Sequence, residues 1–204
     1  MSPPPERGRL LVAAPSLSDP NFFRTVVLLL AHDGGGALGV VLNRPSDIPV
    51  AEVVPSWSLH VSPPGVLFAG GPVQPNAAIC VGRRVGEASL PGSPLSGLAL
   101  GGDDGGELFE GYSPLTEALG TVDLQREPEE ISVGLAGLRV FQGYAGWGPG
   151  QLEEEIEEEA WFVLDGLPEQ ILTPEPEELW QRVLRQQGGW LAALSRHPVD
   201  PSLN

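Results

Sequence analysis

The chain has 204 residues, 41% of them hydrophobic, with 27 glycines, 22 prolines, three histidines and one cysteine. Its 27 acids stand against 11 basic residues, all of them arginine, for a net charge of −16. Such a balance leaves no basic stripe for duplex DNA, the missing lysines remove P-loop and Schiff-base chemistry, and one cysteine with three scattered histidines gives neither an internal disulfide nor a zinc-ligand spacing.

A chain of this length can bury one substantial core. At its start, "MSPPPERGRLL" has neither the apolar stretch nor the cleavage site of a signal peptide. No apolar run approaches the ~20 residues that a membrane span needs, so a cytoplasmic protein without a membrane partner is expected. "RLLVAA" (9–14) and "TVVLLLA" (25–31) read as buried strands separated by the proline-bounded turn "PSLSDPNFFR". The glycine turn His32 to Gly36 leads into a third strand, Ala37 to Leu42, which predicts a hairpin.

Val50 to Val54 reads as a short helix closed before Pro55, and "GVLFAGGPV" with "AAICVG" as two strands around Gly70-Gly71-Pro72. Gly92 to Gly111, glycine-rich and acidic, reads as a surface loop. Strands follow near 120–124 and 138–144, then a helix from Gln151, a strand in "AWFVLD", and a helix capped by Thr173 with Pro174 in its first turn. Trp180, Val183 and Leu184 share one face of that last helix. "HPVDPSLN" reads as a loose tail.

The charge is uneven. Residues 1–102 hold six acids and six arginines, whereas 103–204 hold 21 acids and five arginines. Part of the excess follows the turn "GYAGWGPGQLEEEIEEEAW", where glycines and Pro149 prepare a helix start. Such a start attracts anions through its bare amides, but Glu153, Glu154 and Glu155 already occupy it, so a capped, solvated acidic helix docked by Leu152 and Ile156 is the plainer reading. Tyr144 and Trp147, embedded in the glycines, suit a cleft wall as well as a core, and of the tryptophans Trp147 has the better claim to a cleft.

Two further constellations carry chemistry. "DPNFFR" and "NRP" place Asp19, Arg24, Asn43 and Arg44 on loops at strand ends. Arg24 and Arg44 suit an arginine clamp on a carboxylate or phosphate; equally, Asp19 could pair with Arg24 while Asn43 holds a turn. His32 is a candidate general base, but no serine or cysteine nucleophile is tied to it and no nucleophile elbow is present, which favours a turn role. Cys80 lies in an apolar strand and is assigned no role.

Three segments, "LLVAAPSLSDPNFFRTVVLLLAHDGGGALGVVLNRP", "LFAGGPV" and "GYAGWGPGQLEEEI", resemble in that order the motifs of the YqgE/AlgH family of bacterial proteins. The matches include Asp19-Pro20, Arg24, His32, Asn43-Arg44-Pro45, Gly70-Gly71-Pro72 and Gly143 to Trp147, and the resemblance runs over nearly the whole chain. It implies an α+β fold, a single domain over residues 8–195 with a mixed, curved and split sheet flanked by helices, and flexible ends at 1–7 and 196–204. It implies no particular reaction.

The residues point first to a binding or regulatory module whose cleft is framed by the "DPNFFR", "NRP", "GGP" and "GYAGWGPGQ" loops. Its ligand would be a small anionic molecule or an extended segment of a partner protein, held by Asp19, Arg24, His32, Asn43, Arg44, Gly70, Gly71, Tyr144, Trp147 and Gln151. The alternative is an enzyme at the same loops, with His32 or Asp19 as acid or base and the arginines as electrostatic stabilisers. A DNA-binding regulator fits least, since no helix-turn-helix pattern accompanies the acidic balance. No cofactor and no metal are expected.

Overall fold

The computed structural model describes residues 3–85 and 110–197. Among them ten strands form one curled, mostly antiparallel sheet with short helices packed on its faces, an α+β domain. β1 (Leu10–Ala13), β2 (Val26–Asp33) and β3 (Gly36–Val41) run antiparallel, with β10 (Trp161–Leu164) outside β1. β9 (Leu135–Trp147) joins the two halves of the sheet: its end pairs with β3 and its body with β6 (Val73–Arg84). β8 (Leu119–Val122) and β7 (Tyr112–Pro114) continue beyond β6. β4 (Pro45–Pro49) pairs with β5 (Val66–Ala69), and β5 lies parallel to β9 with Phe68 opposite Phe141, which makes the sheet mixed.

The apolar runs of β1 and β2 lack alternation because both of their faces are buried. On one face Leu10, Val12, Leu28 and Val40 meet α5 (Leu179–Gln187) through Trp180, Val183 and Leu184. On the other, Leu11, Val27, Leu29 and Val41 meet α3 (Gln151–Glu157) through Leu152, with Ile156 packed behind it. Each such leucine or valine, fully buried, contributes roughly 1.5–3 kcal/mol. A third cluster, around Trp57, Leu67, Cys80 and Val140, fills the other half of the sheet.

The sheet turns where two glycine segments cross. Gly143 has φ 69° in the middle of β9, and a Cβ on Gly71 would collide with the backbone of Tyr144. The glycines of "GGP" and "GYAGW" therefore let two backbones touch, a requirement no other residue meets.

Several short elements escape the sequence reading. α1 (Val50–Val53) is the short helix read before Pro55, but the 3-10 turn over Pro55–His60 that follows it is not, and α2 (Pro128–Ile131), α4 (Pro168–Ile171) and α6 (Gly189–Leu194) are each too short to show a 3.6-residue period. One boundary needs correction. Thr173 does not cap α5; a 3-10 turn at Pro176–Glu178 opens it instead, and the Thr173 hydroxyl receives Arg182 Nη1 at 2.8 Å. Pro176 supplies the same preset φ as Pro174, and Leu179 and Trp180 of the helix that follows are buried in the core. Of the expected surface loop Gly92 to Gly111, only Glu110 and Gly111 lie among the described residues, and the tail from Pro198 lies outside them.

Candidate functional site

The turn that links β1 to β2 organises the first group of residues. Asp19 does not pair with Arg24: its Oδ1 accepts the Asn21 amide at 2.8 Å, and its carbonyl accepts the amides of Phe22 and Phe23. Arg24 sits at φ 53°, a left-handed conformation costly for a side chain of its size. Asn43 holds it there. The Asn43 amide donates to the Arg24 carbonyl at 2.8 Å while its Oδ1 accepts the Val26 amide at 2.9 Å, and the side chain is buried. Arg44 Nη2 donates to the Phe23 carbonyl, on the peptide that leads into Arg24.

Neither arginine has an acidic partner among the described residues. The Arg24 guanidinium lies 4.7 Å over the Trp180 ring and donates through Nη2 to the His197 carbonyl, while its Nε is enclosed without a partner. Burial lowers its pKa. Asp19, Arg24, Asn43 and Arg44 are thus brought together around a strained turn.

His32, Trp147 and Gln151 form a second group, on α3. His32 Nε2 donates to Glu153 Oε1 at 2.7 Å, tying the hairpin of β2 and β3 to the helix. Trp147 requires a correction: it is not a cleft wall but a core residue, 6% exposed, packed between Phe22 at 6.1 Å and Trp161 at 5.8 Å. Its neighbouring glycines serve the crossing of strands, which is why they bury the indole beside them. The residue the sequence reading passed over is Glu155. Its Oε2 accepts both indole N–H groups, from Trp147 at 2.9 Å and Trp161 at 2.7 Å, and its Oε1 accepts from Gln151 at 2.8 Å. One glutamate of a run that reads as solvated therefore closes the only polar atoms of two buried tryptophans, and its spacing of four from Gln151 was the available signal.

Gly70, Gly71 and Tyr144 make the third group, at the crossing of the sheet. Tyr144 is half-buried opposite Val73 and packs against the first core cluster. The first two groups adjoin through Phe22 and Phe23, and the third reaches the first where the Ala69 amide donates to the Arg44 carbonyl, but the groove beside the first group is lined by no residue of the other two.

An open groove of about 940 Å³ lies beside the first group. Ser16 and Ser18 of the β1–β2 connection, Phe23, and His197 line it with Phe162 and Trp190. Elsewhere, in the core, sits an arginine the sequence reading did not single out. Arg139 is fully buried and donates to the carbonyls of Ile171 at 2.9 Å, Pro63 at 2.9 Å and Thr173 at 2.7 Å, with its guanidinium 4.1 Å over Phe68. Burial pushes its pKa down to about 10. Burial also pushes the Cys80 thiol up, which leaves it protonated and inert.

Among the described residues no three His, Cys, Asp or Glu side chains gather as metal ligands, and no helix is long and apolar enough to cross a membrane. Comparison with known proteins agrees with the motifs. The sequence model of the AlgH-like family matches residues 10–192. A UPF0301 protein of Streptomyces avermitilis is 47% identical over 97% of this chain and 94% of its own length, and one of Mycobacteroides abscessus is 40% identical over 100% and 92%. In structure the chain is similar to a Corynebacterium diphtheriae protein solved by crystallography, with TM-score 0.82 and 33% identity over 96% of this chain and 94% of that one. The solution structure of the AlgH protein from Pseudomonas aeruginosa superposes with TM-score 0.63 and 27% identity, covering 98% of each chain.

Proposed function

The chain belongs to the AlgH-like family, and from that premise we propose that it is a binding module, of regulatory rather than catalytic use, that holds an anionic group of a small molecule or partner protein between Arg24 and Arg44. One observation carries the reading. In a protein with 27 acids and 11 arginines, the guanidinium of Arg24 and that of Arg44, which bonds the carbonyl just before Arg24, face backbone carbonyls and no carboxylate among the described residues. A planar guanidinium retains several donors after one such bond, and a carboxylate or phosphate is what a pair of them matches. The strain at Arg24, held by Asn43, fits a site kept in place at a cost to stability. Catalysis has less support, because the oxygen of Asp19 and the ring of His32 are already engaged with Asn21 and Glu153.

Thermal melts with inorganic phosphate and a panel of di- and tricarboxylates test this, since a ligand that binds only the native state raises the melting temperature. Arg44→Ala is expected to abolish the shift while costing about 1 kcal/mol or less of stability, the worth of one partly solvated hydrogen bond. An undiminished shift in that variant, or none from any anion in the wild type, would remove the site.

A further inference from the structure

The groove contains chemistry that the arginine site does not use. Its volume of about 940 Å³ suits a small ligand. Phe162 and Trp190 stand in it at right angles, ring centroids 5.3 Å apart and planes at 87°, and Trp190 is 64% exposed, unusual for so large an apolar surface. Glu158 and Glu159, where α3 ends, also line it. Neither has an arginine or hydrogen-bond partner for its carboxylate among the described residues, whereas Glu153 and Glu155 of the same segment do. Glu159 has φ 58°, with its amide bonded to the Ile156 carbonyl. Glycine is the usual residue at that left-handed position after a helix. A glutamate there forgoes the easier backbone and brings a second carboxylate to the groove.

From this we propose that the groove is a separate site for a small organic cation, an alkylammonium or quaternary ammonium ion. An anion would meet two uncompensated carboxylates, and a neutral ligand would leave them without use. A cation is drawn by both carboxylates and by the faces of the aromatic rings, the combination that selects ammonium groups. Arg24 reaches the groove's wall at the His197 carbonyl, so the ammonium sits toward Glu158, Glu159 and Trp190. Neither Arg24 nor Arg44 lines the groove, which keeps this site distinct from the anion site.

Choline is a suitable probe, with 3,3-dimethylbutan-1-ol as its neutral isostere and the indole N–H resonance of Trp190 as the readout. Choline is expected to move that resonance saturably and at least about tenfold more tightly than the alcohol. Trp190→Ala should weaken binding about threefold to thirtyfold as followed by calorimetry, and the double variant Glu158→Gln/Glu159→Gln should weaken it and flatten its salt dependence. All three positions are exposed, so these variants keep the fold, which circular dichroism checks. Arg24→Ala should leave choline affinity unchanged or higher while it removes any phosphate-induced shift, so that failure at one site is told apart from failure at the other. Equal affinity for choline and the alcohol, no saturation by choline, or binding of a lysine-rich peptide where choline fails would each overturn the proposal.

Discussion

Arg139 and the pair Arg24 and Arg44 are all guanidinium groups without a carboxylate, yet they sit in opposite circumstances. Arg139 is fully buried and spends its donors on three backbone carbonyls, those of Pro63, Ile171 and Thr173, so that one side chain ties β9 to the end of α4 and to the turn before β5. Arg24 and Arg44 each show one such bond and remain partly accessible. An unpaired arginine is therefore no sign of a site by itself. Arg139 and Arg24 each keep an enclosed Nε without a partner, so what separates a clamp from a site is whether water, or a ligand, can reach the terminal donors that remain.

The largest expected effect tests the clamp. Arg139→Met keeps an apolar stem over Phe68 but leaves the buried carbonyls of Ile171 and Thr173 without this donor, at about 1–3 kcal/mol each when nothing replaces it, and frees the partly buried Pro63 carbonyl at less. A loss of at least about 3 kcal/mol in denaturant unfolding is expected. A loss under about 1 kcal/mol would mean that water reaches those carbonyls and would erase the contrast between the two kinds of arginine.

The next prediction concerns what holds the exposed pair in place. Asn43→Ala removes a buried hydrogen bond from the Val26 amide and a partly buried one to the Arg24 carbonyl, and should cost about 2 kcal/mol. Because Asn43 also fixes the left-handed Arg24, the variant should weaken phosphate binding more than Arg44→Ala weakens stability. If calorimetry finds phosphate affinity intact in Asn43→Ala, the strained turn does not organise the arginines.

The sequence shows these features unequally, for physical reasons. β1, β2 and β3 are legible because a strand buried on both faces is a continuous apolar run bounded by turn residues, as in "RLLVAA" and "TVVLLLA". The start of α3 is legible from Gly150 and Gln151. Arg139 is hidden because one charge in "GLRVFQ" is outvoted by its apolar neighbours, and only the unpredictable meeting of β9 with α4 gives it partners. Trp147 misleads because glycine beside an aromatic looks the same whether the close neighbour is a ligand or another strand; here Gly71 and Gly143 serve the strand. The turn bearing Asp19 and Arg24 is located correctly by its motif, with Asn43 holding it as one of the two readings had it, but the partner of the Arg24 guanidinium is not, since His197 reaches it from a distant part of the chain.

The smallest effect belongs to a charge pair that does meet, His32 with Glu153. The Glu153 carboxyl is held below its ordinary range first by a hydrogen bond from its own backbone amide and then by the His32 ring. A carboxyl with a lowered folded pKa stabilises the protein above its unfolded pKa, near 4.3, and that contribution is lost as pH falls through the lower, folded value. Glu153 is 48% exposed in its side chain, so water screens the pair and the gain is small. Glu153→Gln should therefore cost about 0.5 kcal/mol or less at neutral pH, less still in high salt, and nothing once the pH is well below the carboxylate range. Urea melts of both proteins across pH 3 to 7 would show two curves that converge on the acid side. Should Glu153→Gln instead rival Arg139→Met at neutral pH, burial would not rank these interactions, and the hairpin's hold on α3 would depend on a single surface contact.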